Sequence, residues 1–348
     1  MMKGYLDYAA TYPEIKFHID TSKKWRNPNA AYAYEERKVL MDCEERIKAA
    51  IGAKGGHVLY FRCATDALEW LHSEGNKCMM AWAHSPYEHD AAVYGNMATP
   101  DQCDCVDFYC HQLINQLTGE IHDIKSVHKK LLQYDDVPFL ICDCTAAIHH
   151  ISLRAAKVCQ YADAVVTSGH KYGCPDIAFM WIDDRLFNWL GGGNDVRNQW
   201  NLKHGSISVG HVLALADAVE WACDSKRLND RNNWYLLLFD CLYCGLKKAD
   251  IDFSVIADAK PSTCAINAIR LNGLNADALQ QYCASKGVYI GVGGSACNVA
   301  GDFRVLNAYK LTDTEASEVI RVSFGDETTK EDIDALVDAI AEYKQKYC

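Results

Sequence analysis

The sequence predicts an α/β fold with a mostly parallel sheet. Three observations carry this. Apolar runs of strand length alternate with segments of helical period, from His57–Phe61 through Ile177–Ile182. Polar, chemistry-bearing residues follow several of those runs, such as His84–Asp90 and Asp143, and the ends of strands are where open α/β sheets bind ligands. From about Asn229 the pattern changes to helices and short strands without polar strand ends, which predicts a second, smaller α/β domain. The reading gives a large domain over residues 16–228 and a small one over 229–348, with residues 1–15 joined to the latter.

The elements follow in order. Gly4–Pro13 reads as a short strand followed by small residues. Glu35–Ile51 places Val39, Leu40, Cys43, Ile47 and Ile51 on one helical face, and Gly52 stops it. Strand His57–Phe61 turns through Cys63–Leu68 into a helix over Ala67–His72. Cys78–Ala83 and Val106–Tyr109 are strands, and Asp123–Leu132 is a helix. Phe139–Asp143 is a buried strand ending in a carboxylate. Two further strands, Tyr161–Val166 and Ile177–Ile182, flank the stretch Thr167–Pro175. Asp183–Gly193 leaves the strand for a glycine turn, and Val209–Cys223 is a long apolar helix. The small domain reads as helix Asn233–Leu246, strand Ala265–Leu271, helix Ala276–Lys286 and strand Val288–Val292. A strand through Val319–Gly325 follows, and a final helix is capped by Thr328–Asp334.

Composition bounds the function. The 348 residues suffice for two domains, and no apolar run approaches the roughly 20 residues of a membrane span. The first residues lack the basic and apolar regions of a signal peptide, so the expectation is a soluble cytoplasmic protein without a membrane partner. A net charge of -11 argues against direct nucleic-acid binding, which needs concentrated Lys and Arg. The 17 cysteines mostly fall inside apolar runs, as Cys142 and Cys283 do, and read as small core hydrophobes in a reducing compartment. Cys103, Cys105 and Cys110, and the pair Cys241 and Cys244, lack matched zinc-ligand spacing, so no metal is expected.

The chain is organised around Thr167-Ser168-Gly169-His170-Lys171-Tyr172-Gly173-Cys174-Pro175. A lysine at a kink between two buried strands suits a nucleophilic amine that forms a Schiff base; a solvated surface turn is the structural alternative. The strand-to-helix passage at Thr65 favours an anion through free N–H groups and the helix dipole, and is equally compatible with an N-cap threonine. Asp143 can hold a cation at a strand end or cap a helix. His89 titrates near neutrality and suits proton transfer, or is structural. Asn27 can form a turn or a cap. Gly291–Asn298 is a glycine-rich loop carrying Cys297, placed as reactive thiols are and unlike the cysteines in apolar runs. Arg321 is a lone cation in an apolar strand, fitted for paired hydrogen bonds to a carboxylate.

Together these pieces resemble the NifS/IscS-like cysteine desulfurases, members of the class V aminotransferase group of fold-type I enzymes that use pyridoxal 5'-phosphate (PLP). The resemblance runs nearly end to end. It rests on Tyr5-Leu6-Asp7-Tyr8-Ala9-Ala10-Thr11, Asn27-Pro28-Asn29-Ala30, the Glu88-His89 pair, and Asp143 placed 28 residues before Lys171. It continues in Gly294-Ser295-Ala296-Cys297, 24 residues before Arg321, and in the Thr328–Asp334 ending.

The resemblance implies a large domain with about seven mostly parallel strands and PLP attached to Lys171. It puts the phosphate on Thr65, Ser168 and His170, and on Ser206 of a neighbouring copy, hence a homodimer with shared sites. It puts His89 on the ring as stacking partner and proton carrier, Asp143 on the pyridine nitrogen, and Gln116 on cofactor and substrate. Asn27 and Arg321 would bind substrate, and Cys297 would carry a persulfide. Three departures stand out: Cys63 and Asp66 at the phosphate turn, Gln116 for an asparagine, and Ala146 for a glutamine on the phenolic oxygen, which leaves Thr145, His149 or water to replace it. The implied reaction converts L-cysteine to L-alanine and passes sulfur to a protein acceptor, such as an Fe–S cluster scaffold, a tRNA-thiolation protein or another carrier. The alternatives are a selenocysteine lyase, another β-eliminating lyase or an aminotransferase of the same group, and a non-catalytic relative kept as a partner.

Overall fold

Alternating apolar strands and helices build two separate sheets in a computed structural model that describes residues 3–13, 16–17, 19–20, 23–174, 176–293 and 303–347. In chain order come β1 (Tyr5–Leu6), α1 (Tyr34–Ile51), β2 (His57–Phe61), α2 (Ala64–Lys77), β3 (Trp82–His84) and β4 (Asn96–Met97). Then follow β5 (Phe108–Gln112), α3 (Ile124–Leu131), β6 (Phe139–Asp143), α4 (Val158–Tyr161), β7 (Ala164–Ser168), β8 (Ala178–Ile182), α5 (Asp184–Trp189) and α6 (Val209–Cys223). The rest holds α7 (Ser225–Lys248), β9 (Phe253–Val255), β10 (Ile266–Leu271), α8 (Ala276–Ser285) and β11 (Tyr289–Val292). After these come α9 (Arg304–Ala308), α10 (Asp313–Ala316), β12 (Val319–Ser323) and α11 (Lys330–Tyr347).

The chain forms two compact units, one of Glu14–Leu113 with Asp123–Leu228, the other of Met1–Pro13, Ile114–His122 and Asn229–Cys348. The larger unit holds a seven-stranded sheet in the order β2-β8-β7-β6-β5-β3-β4. Its pairs are parallel except those of β8, which runs antiparallel to both β2 and β7. Strands β5 to β8 are buried along almost their whole length, as strands covered on both faces must be. Leu68 and Leu71 of α2 pack with Leu59, Phe108, Ile141 and Val166 of the sheet, and Trp82 stacks on Phe108 with ring centroids 4.3 Å apart.

The smaller unit holds a five-stranded sheet, β1-β11-β12-β10-β9, parallel between β1 and β11 and antiparallel elsewhere. Its satellite core joins Leu117, Ala268, Val305, Leu306 and Val319. Residues 114–122, read from the sequence within the large domain, belong here. Ile114 bridges Ile121, Glu120 bridges Ser262, and the Ile121 N–H donates to the Pro261 carbonyl at 2.7 Å. The Asn115 side chain accepts from the N–H groups of Leu117 and Thr118, both at 2.9 Å, and so makes the turn.

Other boundaries moved for packing reasons. Helix α2 runs on past His72 to Lys77, and Gly75 allows this because a Cβ there would meet the Trp82 indole. The next strand therefore begins at Trp82 and not at Cys78. Asp183 caps α5 by accepting the Leu186 N–H at 2.8 Å, so a helix stands where the sequence suggested only a turn. Helix α7 starts at Ser225, well before Asn233. Among the described residues no helix is long and apolar enough to cross a membrane, and no three His, Cys, Asp or Glu groups converge as metal ligands.

Candidate active site

The turn between β7 and β8 is set by close backbone approach. The Gly169 N–H donates to the Ile177 carbonyl at 2.9 Å, and the Gly169 carbonyl accepts from Tyr172 and Cys174 N–H, each at 2.9 Å. A Cβ at position 169 would collide with the carbonyl oxygens of Cys174 and Ile177, so only glycine makes this pin. Thr167 Oγ1 donates to Tyr172 Oη at 3.0 Å inside it. Residues Gly169–Lys171 form a single 3-10 turn, with His170 and Lys171 half-buried. Ser168 Oγ and His170 Nδ1 lie 2.9 Å apart. Burial, then the charges of Lys171 and His89, push the His170 pKa down to about 4, so this imidazole is neutral at pH 7.

Asp143 ends β6, opposite Gln112 of β5 and Val166 of β7 in the parallel ladder. Its Oδ1 accepts the Thr145 N–H at 2.8 Å. Thr145 Oγ1 is buried beside it without a hydrogen-bond partner. Ala146 is half-buried in the same turn. Glu88 is wholly buried and accepts the Gln112 N–H at 2.7 Å, which ties the loop after β3 to β5. His89 caps the next turn: its Nδ1 accepts the Ala91 N–H at 3.0 Å, so the neutral ring carries its proton on Nε2.

At the start of α2 the N-cap is Cys63, whose sulfur accepts the Asp66 N–H at 3.5 Å. Thr65 sits at the second helical position, half-buried, and is not the cap. Nearby is a cavity of about 300 Å³ lined by Arg62, Asp66, Lys203, His204, Ser206 and His211. The exposed Ser206 is reached through a turn in which Asn198, Gln199, Trp200 and Asn201 all have φ between 50° and 62°. Left-handed conformation costs roughly 1–2 kcal/mol per L-residue. Reciprocal amide bonds between Asn29 and Asn198 at 2.9 Å, Tyr60 N–H to Gln199 Oε1 at 2.6 Å, and Trp200 Nε1 to Glu44 Oε2 at 3.1 Å hold it. Asn27 is exposed, and its side-chain oxygen accepts the Asn29 N–H at 2.9 Å, which shapes its own turn.

In the smaller unit Arg321 lies in the middle of β12 with 0% exposure. Its Nη2 donates to Asp7 Oδ1 at 2.7 Å and its Nη1 to the Gln116 carbonyl at 3.3 Å. The Gln116 side-chain amide is buried, and neither its oxygen nor its nitrogen has a partner. Cys297 lies outside the described residues.

The structure thus brings Ser168, His170, Lys171, Asp143 and His89 to one side of the larger sheet's strand ends and connecting turns, and joins Arg321 to Gln116 in the smaller unit. Asp7 was given no role of its own in the sequence reading, whereas Thr145 stood there among the replacements for the glutamine lost at Ala146, and Glu88 in the pair with His89. The signal for Asp7 was a carboxylate in an otherwise apolar opening strand, with an arginine in an apolar strand as the charge to match. The donor set of the larger unit suits a phosphorylated pyridine aldehyde. A primary amine, a strand-end carboxylate beside an unpartnered buried hydroxyl, a neutral imidazole at His170 and a helix amino end are the groups such a molecule needs.

Comparison with known proteins agrees. The family model for aminotransferase class-V matches residues 103–336. The protein named cysteine desulfurase IscS in Buchnera aphidicola is 24% identical, over 97% of this chain and 91% of its own. A protein of Halalkalibacterium halodurans whose name carries the NifS designation is 21% identical over 96% of each chain. A solved NifS-like protein shares the fold with a TM-score of 0.80 at 18% identity, covering 99% of this chain and 100% of that one. Class-V enzymes generally use PLP. With the family model spanning well over half of its length, this chain belongs to the aminotransferase class-V family.

Proposed function

We propose that the protein is a PLP-dependent cysteine desulfurase that forms L-alanine from L-cysteine and carries the released sulfur as a persulfide on Cys297. The observation that supports this most is the grouping of Lys171, Asp143 and the neutral His170 at adjoining strand ends, beside a buried hydroxyl that lacks a partner. When bound, PLP supplies an electron sink for charge at the substrate Cα.

The residues then divide the work. Lys171 would hold PLP through Nζ, and the same amine would serve as the base at the substrate Cα. Asp143 would hold the pyridine nitrogen and favour its protonated form. Thr65, Ser168, His170 and the amino end of α2 hold the phosphate, with Ser206 reaching the phosphate of a second copy in a homodimer. Thr145 Oγ1 stands in for the glutamine that Ala146 replaces. His89, whose Nδ1 accepts the Ala91 N–H, would stack on the ring and carry protons. Arg321 takes the substrate carboxylate, and Gln116 and Asn27 complete the substrate contacts. The Cys297 thiolate attacks the substrate sulfur: the S–S bond forms, the substrate Cβ–S bond breaks, and the electron pair left on carbon is protonated to give alanine. A protein acceptor, such as an Fe–S cluster scaffold or a tRNA-thiolation protein, then takes the terminal sulfur.

Incubation of the purified protein with L-cysteine, with alanine and protein persulfide measured together, tests this. Equal yields are expected, and Cys297→Ala should form no persulfide. Pyruvate in place of alanine, or alanine with wild-type persulfide in Cys297→Ala, would move the protein to a β-eliminating or another lyase reaction.

A further inference from the structure

A fully buried guanidinium needs its charge compensated inside the protein. For Arg321 the compensation comes from Asp7, 314 residues away in the chain, at 2.7 Å. The ladder explains how they meet. Leu6 pairs Ile290 in β1 and β11, so Asp7 follows beside Gly291, and Gly291 pairs Arg321 across β11 and β12. A Cβ at position 291 would lie 2.9 Å from both Arg321 Nε and Asp7 Oδ1 and 3.1 Å from Nη2, so glycine leaves the space in which the ion pair forms.

A guanidinium carries two N–H donors on each terminal nitrogen and one on Nε. Asp7 takes one from Nη2 and the Gln116 carbonyl takes one from Nη1. One donor remains on each terminal nitrogen and the buried Nε donor has no partner, so the guanidinium keeps free N–H groups from which a carboxylate fork can form. With both partners in place the plane of the fork is fixed before any ligand arrives, which lowers the ordering cost of binding.

We propose that Asp7 is a positioning residue that holds Arg321 as a preset carboxylate fork and so selects α-amino acids with a free carboxylate. This rests on the assignment of Arg321 to the substrate carboxylate. L-Alanine and L-alaninamide, which lacks the carboxylate charge, are the probes, with calorimetric dissociation constants on the PLP-loaded enzyme as the readout. Asp7→Asn, which keeps the size and an acceptor oxygen, weakens L-alanine about ten- to hundredfold and leaves L-alaninamide unchanged. The KM for L-cysteine rises in step while kcat changes less, and Asp7→Glu recovers part of the loss.

Should Asp7→Asn fail to fold, Gly291→Ala, which keeps both charges but crowds them, must narrow the same discrimination. Unchanged discrimination in the folded variant, or tighter L-alanine binding as expected of a removed competitor, overturns the proposal. Intact discrimination in Arg321→Gln overturns it together with the assignment of Arg321. A wild-type enzyme that makes no alanine from L-cysteine sinks the desulfurase reading alone, because L-alanine binding still reports on Asp7.

Discussion

Lys171 and Arg321 are the two cations on which the proposed chemistry turns, and their settings differ in kind. Lys171 stands half-buried at the tip of a turn that Thr167, Gly169, Tyr172 and Ile177 shape from within a few residues. Arg321 stands wholly buried in mid-strand, and Asp7, Gln116 and Gly291 assemble its surroundings from far along the chain. A reactive amine needs a fixed turn and some freedom at its tip. A binding guanidinium needs a counter-charge and two fixed acceptors, which no single strand supplies.

Three experiments break or sharpen that contrast. The largest effect falls on Lys171: Lys171→Ala should lower alanine formation by roughly a thousandfold or more with the urea midpoint nearly unchanged. A large loss of stability would show that the amine is structural.

Next is pH. His170 is held at about 4 against 6.5 in the unfolded chain, so the unfolded state binds the extra proton between those values. Stability should fall as pH drops from 6.5 through about 4, by on the order of 3 kcal/mol, and level off below. His170→Gln should flatten that slope in urea titrations. Lys171→Met should raise the His170 pKa, read by NMR, because one like charge beside it is gone.

The smallest effect tests long-range assembly. Tyr309 Oη donates to Glu120 Oε2 at 2.6 Å across 189 residues of sequence. Burial would raise the Glu120 pKa, but hydrogen bonds from His122 and Tyr309 outweigh it and hold it at about 2. The stability this carboxylate adds is present above 4.5 and lost as pH falls toward 2. Tyr309→Phe should cost about 1 kcal/mol near neutrality and shrink that acid loss. An unchanged acid limb would show that the bond contributes nothing in solution.

Much of this is legible in the sequence. Strands His57–Phe61 and Phe139–Asp143 and helix Val209–Cys223 have the limits their residue patterns suggest. Gly52 ends α1 in the left-handed conformation, with φ of 80°. Strand end, glycine pin and lysine at 167–173 were equally visible, because each depends on neighbours in sequence. The extension of α2 was hidden because Gly75 reads as a helix breaker until Trp82 fills the space beside it. The left-handed run at 198–201 was hidden because only bonds from Asn29, Tyr60 and Glu44 offset its cost.

The sequence by itself determined the α/β class, the alternation that builds the larger sheet and the residue types at its strand ends, since apolar period, caps and turn chemistry act over a few residues. Only the tertiary structure decided that residues 114–122 belong with the smaller unit and that Asp7 meets Arg321 over Gly291. Burying a charge is tolerated only where a distant partner arrives in register, and register between strands is a property of the folded sheet.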